Sequence, residues 1–84
     1  MTAPARPILY HHPLHPGCRR VRRLIAELGV EVEHRDVLLS RRHRREVAEL
    51  AGRVAIPCLV LPQTVVADTG AILRFLRLRY GGGA

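Results

Sequence analysis

The segment from Pro16 to Gly29 specifies one amphipathic helix together with both of its ends, and no other feature constrains the fold as strongly. Pro16 suits the first helical position, because an N–H there would have no partner within the helix. The apolar residues recur at spacings of three and four and form one stripe: Val21, Leu24, Ile25 and Leu28. Gly29 suits the left-handed residue that follows a helix. We therefore predict a helix with one buried face and one arginine-rich face in solvent.

A strand-like segment lies on each side of this helix. Pro7–Tyr10 ends before a proline-containing loop, and Glu31–Val37 follows the glycine stop. Ser40 then caps a second helix, Arg41–Ala51, which Gly52 ends. Its apolar residues are expected to face inward: Val47, Leu50 and Ala51.

The apolar segment Val54–Leu61 and the short segment Thr64–Val66 predict a β-hairpin. Pro57 interrupts the first of them, and a proline inside a central strand would remove a ladder hydrogen bond. We therefore expect Pro57 to mark the entry to the strand, with a cis peptide bond as one option. Pro62 and Gln63 supply the turn between the two strands.

A third helix, capped by Asp68 or Thr69, extends to Tyr80. Its apolar stripe consists of Ile72, Phe75 and Leu76. The two helical crossovers predict neighbouring parallel strands, and the short hairpin turn predicts an antiparallel pair. The predicted fold class is α/β (α+β), ordered βαβ-α-ββα, with a four-stranded mixed sheet flanked by three helices. We expect one domain over residues 7–80, with residues 1–6 and 81–84 as short flexible tails.

The composition fits a small globular domain, since 48% of the 84 residues are hydrophobic and 25% are charged. The longest apolar segment is far shorter than the roughly 20 residues that span a bilayer. The N-terminal residues lack the apolar core of a secretory signal. Two cysteines are too few for a disulfide framework. These features predict a cytoplasmic protein without a membrane partner.

Three short motifs occur in a fixed order: His15-Pro16-Gly17-Cys18 where the first helix begins, Val54-Ala55-Ile56-Pro57 before the hairpin, and Val66-Ala67-Asp68-Thr69-Gly70-Ala71-Ile72 where the last helix begins. Together they resemble the strand–loop–helix, cis-proline turn and final helix start of glutaredoxins and of the N-terminal domain of glutathione transferases. The resemblance covers residues 8–80. It implies a thioredoxin-like fold and glutathione as ligand or cosubstrate.

The resemblance also implies how glutathione would bind. Thr69 would hold the γ-glutamyl carboxylate and Asp68 the γ-glutamyl amine, at a helix start whose free N–H groups attract anions. Ile56, just before Pro57, would pair its backbone with the cysteinyl part of the tripeptide.

The chain departs from the family pattern at the reactive position. Cys18 matches the second cysteine of the glutaredoxin motif, and His15 stands where the nucleophilic first cysteine would be. Catalytic candidates are therefore Cys18 as a redox thiol, His15 as a group that stabilises a glutathione thiolate, and Tyr10, which matches the place of the catalytic tyrosine in some transferases. Each also has a structural interpretation: a buried thiol, a helix cap and a strand-end packing residue.

The helical domain of the transferases is a second departure, because nothing in the 84 residues corresponds to it. The sequence therefore predicts a stand-alone glutathione-binding protein of the thioredoxin fold. Whether it is an enzyme stays open, with glutathione-dependent thiol–disulfide exchange and transferase-like chemistry as the two options. A homodimer or a separate protein partner also stays open.

Two further interpretations concern the cysteines and histidines. Cys58 follows Pro57 in an apolar segment and is expected in the core, although a Cys18–Cys58 disulfide is conceivable. Zinc or copper ligands could come from a set of four: His11, His12, His15 and Cys18. Because their spacing is crowded and two prolines restrict the loop, we predict no metal site.

The excess of positive charge indicates an alternative function. Fourteen arginines and no lysine stand against seven acidic residues, for a net charge of +7. The run Arg41–Arg45 is either a solvated helix face or part of a non-catalytic module that binds protein or nucleic acid through arginine-rich helices. Because the chain has few aromatic residues to stack on bases, we expect any nucleic-acid binding to be nonspecific.

Overall fold

The computed structural model describes residues 6–81 and confirms a four-stranded mixed sheet with three helices. In chain order the elements are β1 (Ile8–His11), α1 (Pro16–Leu28), β2 (Glu33–Asp36), α2 (Arg41–Ala51), β3 (Cys58–Leu61), β4 (Thr64–Val66) and α3 (Thr69–Tyr80). The three helices have their predicted bounds. Residues 1–5 and 82–84, which make up most of the two predicted tails, lie outside the described residues.

Local capping interactions explain where the helices begin and end. The Ser40 hydroxyl accepts a hydrogen bond from the His43 N–H at 3.2 Å and so caps α2. Gly29 and Gly52 follow α1 and α2 with φ angles of 69° and 79°, the left-handed region that glycine enters without a Cβ clash. These three helix bounds are thus set by residues within one turn of them.

The sheet has the strand order β2-β1-β3-β4. β1 and β2 are parallel, as the first crossover predicts, and β3 and β4 form the predicted antiparallel hairpin. The expectation of a second parallel neighbour is wrong, because β3 pairs with β1 in the antiparallel direction. Residues 52–57 form neither helix nor strand and add enough length after α2 for the chain to enter the sheet from the opposite end.

The first two strands differ from their predicted bounds, and β4 matches them. β2 covers only Glu33–Asp36, which is shorter than predicted at both ends. β3 begins at Cys58, directly after Pro57, which confirms Pro57 as the entry to this strand. β1 extends one residue further, to His11. Within residues 6–81, no helix is both long and apolar enough to cross a bilayer.

The core has two layers, one on each face of the sheet. α1 and α3 cover the first layer, whose buried residues are Leu9, Val21, Leu24, Ile25, Leu59, Ile72, Leu73 and Leu76. α2 covers the second layer, whose buried residues are Tyr10, Val37, Val47 and Cys58. Successive side chains of β1 therefore point to opposite faces of the sheet, with Leu9 in the first layer and Tyr10 in the second.

The inward position predicted for Leu50 is wrong, since its side chain is 48% exposed. α2 buries Val47 completely and packs Ala51 against the second layer one turn later. Leu50 lies three residues after Val47 rather than four, on the flank of this narrow stripe. α2 therefore buries fewer of its apolar residues than the sequence pattern predicts.

His11 is a buried polar residue at the end of β1, and only 8% of it is exposed. Among residues 6–81 its Nδ1 atom has no hydrogen-bond partner, and its ring meets the ring of His34 edge-on at 5.7 Å. Burial lowers the pKa of His11, and the nearby positive charge of Arg22 lowers it further. Burial likewise lowers the pKa of His34.

The stability of the domain should therefore fall on mild acidification. An unfolded histidine titrates near pH 6.5, and His11 in the folded state titrates lower, so the unfolded state binds more protons between these values. Hence the free energy of unfolding decreases as the pH is lowered from about 7.5 to about 5.5. Urea unfolding across this range should show a shallower pH dependence in His11→Asn than in the wild type. An unchanged slope would remove His11 as the cause.

Candidate functional site

Three connecting segments meet at one edge of the sheet. Tyr10 pairs with Cys58 and Leu59 pairs with Val66, so the end of β1, the start of β3 and the end of β4 lie side by side. These strand ends lead to α1, to Pro57 and to α3 respectively. The topology therefore brings together the three motifs that the sequence analysis singled out.

The first turns of α1 and α3 are in close contact at Gly17. A Cβ atom placed on Gly17 would lie 2.5 Å from Oγ1 of Thr69 and 3.0 Å from Cε1 of the His15 ring. Only a glycine allows the α1 backbone to lie this close to the two side chains. Two of the predicted site residues, His15 and Thr69, thus flank one point between the two helix starts.

His15 caps α1 with its ring. Nδ1 accepts hydrogen bonds from the N–H groups of Gly17 at 3.0 Å and Cys18 at 3.3 Å. An acceptor nitrogen carries a lone pair, so the proton of the neutral ring is on Nε2. The cap therefore fixes the tautomer and leaves Nε2–H as a donor at the start of α1. The two sequence interpretations of His15, as a cap and as a ligand contact, are compatible in this geometry.

Asp68 and Thr69 form the start of α3. The Asp68 carboxylate accepts a hydrogen bond from the Ala71 N–H at 3.0 Å, and the first intrahelical bond joins Ile72 N to the Asp68 carbonyl at 2.8 Å. The N–H groups of Thr69 and Gly70 precede that bond and so have no acceptor within the helix. They form a site of positive potential at the end of the helix.

Arg74 is a residue of this site that the sequence analysis did not identify. A Cβ placed on Gly70 would lie 3.5 Å from Nη1 of Arg74 and 3.4 Å from Oδ2 of Asp68. The guanidinium therefore lies over the first turn of α3 and adds positive charge there. The available signal was the spacing of four residues between Gly70 and Arg74, which places them on one helix face.

Ile56 and Pro57 precede β3 and are joined by a cis peptide bond. Pro57 is buried, and Ile56 is half-buried against the second core layer. Since β3 starts at the next residue, their backbone lies at the same sheet edge as the starts of α1 and α3.

Tyr10 belongs to a different environment, on the face of the sheet that α2 covers. Its hydroxyl donates to Oε1 of Glu46 at 2.9 Å and accepts from Nη1 of Arg35 at 2.9 Å. Arg35 also donates to Glu46, so the three side chains are hydrogen-bonded to one another. Burial raises the pKa of Tyr10. The structure therefore does not bring the Tyr10 hydroxyl together with His15 and Thr69.

Both cysteines are buried free thiols. The Cys18 sulfur accepts a hydrogen bond from the His12 N–H at 3.4 Å, and burial raises the pKa of this thiol. Cys58 packs beside Tyr10 in the second core layer, and burial raises its pKa as well. Among residues 6–81, no three His, Cys, Asp or Glu side chains are arranged to hold a metal ion.

One protein-family model matches nearly the whole chain. The model of the glutathione S-transferase, N-terminal domain matches residues 9–83. The chain belongs to this family. No curated protein matched the sequence.

Solved structures agree with the family assignment. A glutathione transferase homolog from Drosophila mojavensis, solved with bound glutathione, is 26% identical with a TM-score of 0.80, and the match covers 92% of this chain and 36% of that one. A glutathione S-transferase from the Antarctic clam Laternula elliptica is 22% identical with a TM-score of 0.80, covering 93% and 36%. A variant of the thioredoxin-like protein BC3987 is 24% identical with a TM-score of 0.74, covering 84% and 97%. The fold is therefore thioredoxin-like, and the chain spans 36% of the length of these two transferases.

The contact at Gly17 predicts a specific coupling with Thr69. An alanine at position 17 would force its Cβ against the Thr69 hydroxyl, and we expect Gly17→Ala to lower the free energy of unfolding by about 1–3 kcal/mol, although alanine is the better helix former. In a Thr69→Ala background most of this loss should disappear. Urea unfolding of the two single variants and the double variant measures the coupling. Equal losses in both backgrounds would contradict the contact.

Proposed function

We propose that this domain binds glutathione at the site formed by the starts of α1 and α3 and the backbone before Pro57. The observation that supports this most directly is the close approach at Gly17, which places the Thr69 hydroxyl and the His15 ring on either side of one point. The free N–H groups at the start of α3 suit a carboxylate, and the Nε2–H of His15 at the start of α1 suits a second negative charge. Glutathione has such a pattern, with carboxylates at both ends and a thiol between them.

The start of α3 suits the γ-glutamyl end of the ligand. The N–H groups of Thr69 and Gly70 and the Thr69 hydroxyl would donate to the carboxylate, with the Arg74 guanidinium next to them. The exposed Asp68 carboxylate uses one oxygen for its cap to Ala71, and the other would accept from the γ-glutamyl amine. The backbone of Ile56 would pair with the cysteinyl residue as an added strand.

The start of α1 suits the sulfur of the ligand. His15 donates no proton through Nδ1, so Nε2–H is its one donor in the neutral ring. A thiolate held there would accept that hydrogen bond and would face the positive end of α1, and both effects favour loss of the thiol proton to solvent. His15 would thus activate the sulfur of glutathione rather than act as a nucleophile.

The remaining two catalytic candidates fit this chemistry less well. Cys18 is fully buried and its raised pKa keeps it a thiol at neutral pH, so it is a poor nucleophile. Tyr10 is engaged with Arg35 and Glu46 on the other face of the sheet. We therefore propose a glutathione-binding domain of the transferase type that would supply the activated thiol, whereas the electrophile would be held by another polypeptide segment or partner.

Calorimetric titration with glutathione tests the binding site. We expect saturable binding to the wild type and a loss of at least about tenfold in affinity for Thr69→Ala, because a charge-assisted hydrogen bond is removed. Thr64→Ala is the matched control, since Thr64 is exposed on β4 and outside the site. Tyr10→Phe should also bind as the wild type does. No heat at millimolar glutathione, or an equal loss in Thr64→Ala, would exclude the site.

His15→Asn separates thiol activation from helix capping. Asparagine keeps a capping oxygen for the first turn of α1, but its shorter side chain has no N–H at the position of the imidazole Nε2. We expect glutathione to bind with similar affinity, while the pKa of the bound thiol, followed by the ultraviolet absorbance of the thiolate, rises towards that of free glutathione. A bound thiol that titrates identically in both proteins would show that His15 only caps the helix.

A further inference from the structure

The end of β1 holds a histidine ring in a position that suits only its neutral form. His11 is buried, and its Nδ1 atom has no hydrogen-bond partner among residues 6–81. His11 points to the same face of the sheet as Leu9, so its ring lies on the side that α1 covers. An imidazolium carries an N–H on both ring nitrogens, and a buried N–H or charge without an acceptor is costly. Protonation would therefore drive the ring into solvent.

The surroundings of His11 mostly oppose its protonation. Four charged or titratable groups face the ring from the elements packed around it: Arg22 on α1, His34 and Asp36 on β2, and His12 in the following loop. Of these four, Asp36 alone favours a positive ring, and its carboxylate also accepts two hydrogen bonds from backbone N–H groups. Burial lowers the pKa of His11, and the charge of Arg22 lowers it further. The ring is thus neutral at physiological pH and takes up a proton in mildly acidic solution.

The ring lies at a strand end, so it can leave without disrupting the rest of the sheet. His11 and Asp36 are the last pair of β1 and β2, and the Val37 N–H donates to the His11 carbonyl at 2.9 Å just beyond this pair. Movement of the ring into solvent therefore frays one end of β1, while the earlier pairs of the strand are kept.

His12 couples this strand end to the start of α1. Its N–H donates to the Cys18 sulfur at 3.4 Å, and its carbonyl accepts from the His15 N–H at 3.0 Å. Its Nδ1 also accepts from the Leu14 N–H at 3.1 Å. Displacement of the His11 ring moves the peptide group between His11 and His12 and so breaks the bond to the sulfur. His15, which is held by the next peptide group, then loses its fixed position as the cap of α1.

We propose that the loop from His11 to His15 is an acid-sensitive switch of the glutathione site, in which protonation of His11 displaces the loop and the His15 cap and releases the ligand. The proposal rests on the function proposed above, because it concerns the same site. The loop holds His15 in place in neutral solution and opens as the pH falls.

Nuclear magnetic resonance of the full chain without ligand tests the loop. Between about pH 7.5 and about pH 5.0, we expect the amide signals of Gly17 and Cys18, which donate to His15, to move in the wild type. They should keep their positions in His11→Phe, whose ring cannot be protonated. His11→Asn, which also takes up no proton in this range, is the second variant. The amides of β4, two strands away from β1, are the internal reference.

Calorimetric titration with S-methylglutathione at the same two pH values tests the effect on the ligand. This ligand has no thiol proton, and its carboxylates and amine titrate outside the range. The affinity should fall by at least about threefold at the lower pH in the wild type and by less than about 1.5-fold in His11→Phe, since only molecules with a neutral His11 bind. His43→Gln is the matched control, because it removes a histidine from α2 on the opposite face of the sheet. It should keep the full pH dependence.

The other outcomes contradict the proposal in ways that can be told apart. Loop signals that move equally in both His11 variants would show that His15 itself titrates. Signals of β4 that change together with those of the loop would show global unfolding instead of a local switch. An affinity independent of pH would overturn the switch and leave the glutathione site intact. Absence of binding at both pH values would overturn the site and the switch together.

Discussion

The pairing of β1 with β3 in the antiparallel direction is the constraint on which the site depends. Because the end of β1 lies beside the start of β3, the chain leaves one strand for α1 at the same sheet edge where it enters the other from Pro57. The hairpin then returns β4 to this edge, and α3 begins there. A parallel β3 would place Pro57 at the far end of the sheet. The convergence of three segments thus follows from strand direction, before any side chain is considered.

Within that edge, the contact between α1 and α3 sets the distance between the functional groups. Gly17 has no Cβ, so the first turn of α1 lies directly against the Thr69 side chain. The same turn is fixed from the other side by the His15 cap. On the proposed function, His15 both caps α1 and contacts the ligand, and the cap determines which ring nitrogen carries the proton. On the second face of the sheet, hydrogen bonds among Tyr10, Arg35 and Glu46 join β1, β2 and α2, so these side chains hold the fold together.

The sequence predicted the helices better than the sheet, for a physical reason. Helix ends are determined locally, by Ser40, Asp68 and the two left-handed glycines, so a single sequence contains the information. Strand direction is determined by packing across the chain, and residues 52–57 reversed the path that a helical crossover favours. Leu50 shows the same limit, because which apolar residues of α2 are buried depends on how much sheet lies beneath it.

The residues of the candidate site also divide into those that the local sequence indicates and those that only the packing of the chain brings into place. Its motifs are visible in the sequence because Pro57, Asp68 and Thr69 occupy positions with local backbone requirements. The role of Gly17 depends on the approach of two helices, which no local pattern indicates. The role of Arg74 depends on a side chain that lies back over its own first turn, and only its spacing of four residues from Gly70 indicates it. Burial also distinguishes candidates that look alike in sequence. Cys18 lies in the first turn of α1, yet its side chain is fully buried and its sulfur accepts a hydrogen bond from the His12 N–H.

The burial of both thiols bears on what kind of chemistry this fold can support. A glutaredoxin needs a reactive protein sulfur at the start of α1, whereas here the side chain at that position is an imidazole and both protein thiols have raised pKa values in the core. A reactive sulfur at this site would have to arrive with the ligand. The groups that remain there, the Nε2–H donor of His15 and the free N–H groups at the start of α3, stabilise negative charge without forming a covalent bond. On the proposed function, the replacement of a cysteine by His15 therefore transfers the nucleophile from the protein to glutathione, which is the division of labour that distinguishes a transferase from a thiol–disulfide oxidoreductase.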